Sequence, residues 1–196
     1  MVGVAGIEAG RLAHICVDVQ VMFAEETPWH APWLERVLPA IEAIVERAPE
    51  RTVFTRFVPP EYPEQAEGAW KDYYRNWPQM TRDRLSPGMV DIVPALRRHV
   101  PPARIFDKAI YSPWLRSGLH HALAEAGVTT LVVTGGETDI CVLATVLGAI
   151  DLGYRVLLPT DAVFGSADPT HEAALSLYRS RFGRQLTACT TQDLLD

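Results

Sequence analysis

The sequence predicts a three-layer α/β/α fold, in which a Rossmann-like parallel sheet of about six strands lies between two layers of helices. Short apolar runs rich in β-branched residues alternate with segments whose apolar residues recur every three or four positions. No internal repeat and no Gly/Ser-rich linker divides the 196 residues. We therefore expect a single domain over residues 1–196.

The first half of the chain supplies two strands and one long helix. Residues 12–19 form a near-continuous apolar run, which is typical of a central parallel strand and contains Asp18 near its end. Residues 51–56 form the second strand. Between them, helical spacing of Leu34, Val37, Ile41 and Ile44 predicts a helix that Pro39 must either begin or kink.

An aromatic-rich segment follows at about 57–84. Long structured loops in compact domains are often lids or binding loops, so these rings could line a pocket. Alternatively, they pack the segment against the core or fill a subunit interface. The rings are Phe57, Tyr62, Trp70, Tyr73, Tyr74 and Trp77.

The second half repeats the alternation. Pro94 interrupts residues 89–99, which are predicted to form a turn or a short helix. Strands are predicted at 104–106, 128–133, 154–158 and 185–189. Helices are predicted to begin at Ser112-Pro113, within 140–150, and at Asp168-Pro169, the last of these running to about Arg181.

The composition argues against several classes of binding partner. A net charge of −6 without a Lys/Arg run argues against nucleic acid. The longest nearly apolar stretch, 140–150, is too short to span a bilayer, and residues 1–10 lack the features of a signal peptide. Three widely spaced cysteines predict neither disulfides nor a zinc site, so we expect a cytoplasmic protein. Dinucleotide and Walker A fingerprints are absent, and no cofactor is expected.

One stretch carries the chemistry. The strand at 128–133 meets Gly135-Gly136, a capping residue at Thr138 or Asp139, and a helix whose first turn holds Cys141. A helix N-terminus shifts a thiol toward thiolate, and its free N–H groups could bind an oxyanion. The alternative is that Cys141 is a buried small hydrophobic residue.

Asp18, Lys108 and Cys141 lie just beyond three predicted strand ends, which share one edge of a parallel sheet. Cys141 would then be the nucleophile, Asp18 the group that takes its proton, and Lys108 the cation that keeps Asp18 ionised. Alternatively, Asp18 is only a turn or cap residue, and Lys108 is a solvated charge at the end of a strand.

Four motifs resemble the isochorismatase-like cysteine hydrolase family: residues 14–20 (HICVDVQ), 106–112 (FDKAIYS), 136–142 (GETDICV) and 149–156 (AIDLGYRV). The resemblance implies a catalytic triad of Asp18, Lys108 and Cys141. It also implies a cis peptide between Gly136 and Glu137, and an oxyanion hole formed by the backbone N–H groups of Glu137 and Cys141.

Two departures narrow the expected reaction. Family members that hydrolyse nicotinamide carry a metal-binding Asp-x-His, where this sequence has Phe57 and Pro59, so no metal is expected. Isochorismate-cleaving members generally lack the cysteine. The sequence thus favours hydrolysis of a small amide, ureido or related C–N substrate through a thioester. The alternatives are an isochorismatase-type ether or ester hydrolase, or a catalytically idle small-molecule-binding member.

The remaining expectations concern the pocket and the assembly. Glu137 could recognise an amine or amide N–H and Arg56 a carboxylate, or the two could form an ion pair or stay solvated. The helix at 140–150 is apolar nearly all round, so its outer face packs under neighbouring helices or on another subunit, and we expect a homo-oligomer, minimally a dimer. The candidate substrate-binding residues are Gln20, Phe23, Arg56, Trp70, Trp77, Tyr111 and Trp114.

Overall fold

The computed structural model describes residues 11–115 and 118–196. Seven strands form one parallel sheet in the order β3-β2-β1-β4-β5-β7, and the short β6 pairs with β4. The strands are β1 (Leu12–Val17), β2 (Thr52–Phe57), β3 (Arg104–Lys108), β4 (Thr130–Gly136), β5 (Arg155–Pro159), β6 (Val163–Phe164) and β7 (Leu186–Cys189).

Helices cover both faces of this sheet. The helices are α1 (Val21–Ala24), α2 (Leu34–Arg47), α3 (Ala69–Asn76), α4 (Pro94–Arg97), α5 (Leu119–Glu125), α6 (Cys141–Asp151), α7 (Asp168–Arg181) and α8 (Thr191–Leu195). Side chains of α1 to α4 and α8 pack in one apolar core, the first core. Those of α5, α6 and α7 pack in another, the second core. The predicted three-layer α/β fold is therefore confirmed. The strand that the sequence did not predict is β6, which is only two residues long and too short to give a periodic pattern.

Successive side chains along the central strands pack alternately in the first and the second core. In β1, Cys16 packs in the first core, whereas Ile15 and Val17 pack in the second. In β4, Val132 likewise faces the opposite core from Val133. Both faces of these strands are buried, which explains why they are continuous apolar runs in the sequence.

The structure decides one helix prediction and corrects another. Pro39 lies inside α2, which excludes the alternative in which the helix begins at the proline, and the backbone carbonyl of Glu35 lacks its usual donor there. The helix predicted to begin at Ser112-Pro113 instead begins at Leu119, after Gly118 with φ 70°. Residues 112–115 are not helical.

Trp114 fixes this non-helical segment to α6. Its indole Nε1 donates to the Thr145 carbonyl over 2.9 Å. The ring also lies so close to Gly148 that a Cβ there would sit 2.1 Å from Trp114 Cδ1. The outer face of α6 is thus covered in part by the same chain, while Leu147 remains 38% exposed. The homo-oligomer stays a prediction.

The aromatic-rich segment has structure of its own. It contains α3 and two short 3₁₀ helices at Pro63–Gln65 and Pro78–Met80. Tyr74 is buried, and Trp70, Tyr73 and Trp77 pack against the first core. No helix in the described ranges is both long and apolar enough to cross a membrane.

His14 is a buried polar side chain in the middle of β1. Its Nδ1 lies 3.2 Å from Thr52 Oγ1, and its Nε2 lies 2.8 Å from Thr134 Oγ1, so two hydroxyls from the flanking strands satisfy the ring. Burial lowers the pKa of His14 to about 3. The ring therefore stays neutral in the folded protein well below the pH at which a free histidine ionises.

His14 should make the protein acid-sensitive. The unfolded chain binds a proton at this ring below about pH 6.5 and the folded chain does not, so the free energy of unfolding falls as the pH decreases from 6.5 toward 3. Between about pH 7.5 and pH 5 the loss from this residue is about 2 kcal/mol. Urea unfolding at both pH values should show a smaller loss in His14→Gln than in the wild type. Equal losses would contradict this account.

Candidate active site

Three side chains from separate strand ends meet at the carboxyl edge of the sheet. Asp18 follows β1, Lys108 ends β3, and Cys141 is the first residue of α6 after β4. Lys108 Nζ lies 2.6 Å from Asp18 Oδ2 and 3.5 Å from Cys141 Sγ. It also donates to the Ile110 carbonyl over 3.1 Å. The three donors of the ammonium are therefore all used within the protein.

Strand β2 holds Asp18 in place. The Asp18 backbone N–H lies 3.2 Å from Thr55 Oγ1 and 3.3 Å from the Thr55 carbonyl, and the Thr55 hydroxyl donates to Asp18 Oδ1 over 2.6 Å. Asp18 has φ 50°, a left-handed conformation that is uncommon outside glycine. This conformation turns the chain sharply after β1. Sequence reasoning missed Thr55, since a threonine within a strand has no distinctive pattern.

Cys141 is 7% exposed, and its environment favours the protonated thiol. Burial and then the Asp18 carboxylate raise the pKa of Cys141, and these effects outweigh the lowering by Lys108. Lys108 therefore does shift the thiol toward thiolate, but burial and Asp18 outweigh this effect and leave the pKa of Cys141 above its ordinary value. Burial alone would lower the pKa of Lys108, but Asp18 and Cys141 raise it, so Lys108 stays charged.

The end of β4 approaches its neighbours so closely that two glycines are required. A Cβ on Gly135, which has φ 98°, would lie 2.0 Å from the Val17 carbonyl oxygen. A Cβ on Gly136 would lie 2.2 Å from the Phe164 ring. The Gly136–Glu137 peptide bond is cis. In the described part of the chain, no acceptor is found for the backbone N–H of Glu137 or of Cys141.

The loop between β4 and α6 is held in place by hydrogen bonds to Phe164 and to two residues of α7. Thr138 donates through its hydroxyl to the Phe164 carbonyl over 2.9 Å, and the same oxygen lies 2.9 Å from His171 Nδ1. Tyr178 donates to the Thr138 carbonyl over 2.7 Å. Thr138 therefore anchors the loop, and the N-cap position of α6 is Ile140, not Thr138 or Asp139 as predicted. Sequence reasoning missed this network.

A small, largely aromatic pocket, partly open to solvent, lies over Cys141. The sequence predicted Phe23 and Tyr111 as substrate-binding residues, and both line it. The aromatic segment contributes Phe57 and Tyr73. Trp29 was missed, because it lies in an irregular segment before α2. The lining residues are Phe23, Trp29, Phe57, Tyr73, Tyr111, Gly136, Glu137, Ile140 and Cys141.

Gln20 and Arg56 were predicted to bind substrate but lie outside this pocket. The Gln20 amide accepts from the Phe57 N–H and donates to the Phe57 and Val90 carbonyls, so it fastens the end of β2. Arg56 pairs with Asp107 at 2.8 Å and with Asp91 at 3.4 Å. The alternative in which Arg56 pairs with Glu137 is therefore also wrong.

Three tryptophans predicted to bind substrate also lie outside. Trp70 stands behind the pocket wall, with its ring centroid 4.7 Å from that of Tyr111. Trp77 packs against the first core, and Trp114 covers α6. Indole rings fill apolar space as readily as they line pockets, and sequence order alone does not separate the two roles.

Phe57 stands where the family resemblance implies the first metal ligand of nicotinamide-hydrolysing members. It is buried, and Lys108 Nζ lies 5.0 Å from the centre of its ring, so it supports the lysine by a cation–π contact. One group that could hold a metal occurs among the described residues, namely Glu42, Glu46 and His99. Arg98 Nη2 already lies 2.8 Å from both carboxylates there. The expected absence of a metal stays a prediction.

The buried Lys108–Asp18 pair should show strong coupling. Lys108→Met leaves the Asp18 carboxylate buried without its cation and should cost about 3–5 kcal/mol of unfolding free energy, whereas Asp18→Asn combined with Lys108→Met should cost less than the sum of the single changes. Urea unfolding of the four proteins measures this. The half-exposed pair Arg56–Asp107 is the control and should couple by less than about 1 kcal/mol. Additive effects at Asp18 and Lys108 would contradict the assigned geometry.

Comparison with known proteins places these features in context. Streptothricin hydrolase from Streptomyces noursei is 37% identical over 84 residues, which are 39% of this chain and 30% of that protein. This match and a match to a second curated relative each cover less than half of the relative's own length.

Two solved structures share the fold. A cysteine hydrolase from Pseudomonas syringae pv. phaseolicola superposes with a TM-score of 0.82 at 22% identity, covering 96% of this chain and 92% of the other. N-carbamoylsarcosine amidase from Thermoplasma acidophilum gives 0.73 at 20% identity, covering 92% and 96%. The family model described as the isochorismatase domain matches residues 12–190. The chain therefore belongs to the isochorismatase family of hydrolases.

Proposed function

We propose that this protein is a metal-independent cysteine hydrolase that cleaves the C–N bond of a small carboxamide, ureido or related compound through a thioester. One observation carries the proposal. A buried ammonium, Lys108, bridges a carboxylate and a thiol at the floor of an open pocket. A nucleophile, its proton acceptor and a charge that keeps the acceptor ionised are thus within contact distance.

The first half of the reaction forms the thioester. Cys141 Sγ attacks the substrate carbonyl carbon, and its proton passes to Asp18, since both groups contact the Lys108 ammonium. This transfer is needed because the resting thiol is protonated. The C–N bond then breaks, the leaving nitrogen takes the proton from Asp18, and ammonia or an amine departs.

The second half releases the acid. A water molecule gives a proton to Asp18 as its oxygen attacks the thioester carbon. The C–S bond breaks, and Asp18 returns the proton to the Cys141 sulfur. In both halves the tetrahedral oxyanion would be bound by the backbone N–H groups of Glu137 and Cys141, as donors already fixed in position stabilise charge most effectively.

The relatives make the reaction class reasonable. One structural neighbour, N-carbamoylsarcosine amidase, is named for the hydrolysis of a C–N bond. A catalytically idle member is less well supported, because a protein that only binds its ligand has no need for a thiol beside a buried carboxylate and ammonium.

The cysteine should be essential. With a panel of small carboxamides and N-carbamoyl compounds and ammonia release as readout, Cys141→Ala should lose at least about a thousandfold in kcat/KM, since no other nucleophile can form the thioester. Cys189→Ala removes a half-buried thiol on β7 and is the matched control. Unchanged turnover in Cys141→Ala together with loss in Asp18→Ala would contradict the thioester route and favour ether- or ester-type hydrolysis.

Catalysis should survive removal of metal ions. Phe57 and Pro59 offer no ligand atoms, so dialysis against EDTA should change kcat/KM by less than about twofold. Ammonia release before and after dialysis measures this. Loss of activity that added Zn²⁺ or Mn²⁺ restores would show that the reaction needs a metal.

A further inference from the structure

The charge balance of the pocket indicates which substrates it accepts. Of its nine described lining residues, Glu137 is the one whose side chain carries a charge at neutral pH. Ser166 donates to Glu137 Oε2 through its backbone N–H at 2.8 Å and through its hydroxyl. In the described ranges Glu137 Oε1 has no partner. The carboxylate is therefore held in position with one oxygen free.

Among the described residues, the two cations closest to the site in this account, Lys108 and Arg56, are already paired and not free to bind a substrate anion. Each of the three donors of Lys108 already has an acceptor within the protein. Arg56 points to Asp107 and Asp91 instead. Because Lys108 and Asp18 neutralise each other, Glu137 leaves the pocket with a net negative charge. An anionic substrate would lose its hydration without gaining a counter-charge.

The walls of the pocket also favour a cation. Five aromatic rings form a continuous surface, in which Trp29 lies 6.3 Å from Phe23, 5.9 Å from Phe57 and 5.8 Å from Tyr73, measured between ring centres. Tyr111 continues the wall at 6.4 Å from Phe57. The negative face of an aromatic ring attracts an ammonium or guanidinium group, most strongly where water is excluded.

We infer that the site accepts amide substrates that also carry an ammonium, amidinium or guanidinium group, which Glu137 and the surrounding rings bind while Cys141 attacks the amide. This inference rests on the proposed function for the identity of the reacting bond. Glu137 thereby acts twice, its backbone N–H toward the oxyanion and its side chain toward the substrate cation.

Binding of three small probes tests the inference without requiring turnover. Benzylamine, benzyl alcohol and benzoate present the same ring with a positive, neutral and negative group. By isothermal titration calorimetry, the wild type should bind benzylammonium with a Kd about tenfold lower than that of benzyl alcohol, and benzoate most weakly. Equal or tighter binding of the alcohol or the benzoate, or no detectable binding of the amine, would overturn the inference.

Glu137→Gln keeps an acceptor for Ser166 but removes the charge, and it should reduce the tenfold preference to about twofold. Glu50→Gln is the matched control and should keep the preference, because Glu50 precedes β2 at the opposite edge of the sheet. If Glu137→Gln retains the preference, Glu137 is not the cation-binding group and the inference fails. The comparison within the wild type does not depend on how well either variant folds.

The outcomes also separate this inference from the proposed function. Cys141-dependent hydrolysis of neutral amides without a preference for benzylammonium would leave the proposed function standing and overturn the inference. A clear preference for benzylammonium without any Cys141-dependent hydrolysis would show that the proposed function is wrong.

Discussion

The contact of the Lys108 ammonium with Asp18 and Cys141 is the interaction on which the site depends. Both charged side chains are almost completely buried, so neither would tolerate loss of the other. The pair exists because β1 and β3 end at the same edge of the sheet and because β2, which lies between them, positions Asp18 through Thr55. Phe57 of β2 then closes over the lysine.

The other half of the site depends on how closely β4 approaches its neighbours. Gly135 lies against Val17 of β1 and Gly136 against Phe164 of β6, so the short strand β6 shapes the turn that precedes Cys141. His171 and Tyr178 of α7 hold this turn in place through their hydrogen bonds to Thr138. Within the described residues, the backbone N–H groups of Glu137 and Cys141 have no acceptor, and Glu137 lines the aromatic pocket.

Much of this architecture was predictable, because the pattern of apolar runs reports directly on burial. The strands at whose carboxyl ends Asp18, Lys108 and Cys141 lie were all predicted, and parallel order implies that these ends share one edge. What could not be predicted depends on side-chain direction and on irregular backbone. Gln20 and Trp29 both follow β1, yet Gln20 fastens β2 and Trp29 lines the pocket. The partner of Arg56 is Asp107, near the end of β3. The protonation of Cys141 depends on its burial, which the spacing of motifs does not reveal.

The thioester is the central claim, and mass spectrometry of the enzyme during turnover tests it most directly. An amide that releases ammonia with the enzyme is mixed with it, the reaction is quenched in acid, and the peptides are mapped. The account predicts a peptide containing Cys141 that is heavier by the acyl group of that amide, while the peptides containing Cys16 and Cys189 remain unmodified. Rapid pre-steady-state quenching that finds unmodified Cys141 throughout the first turnover would contradict the account.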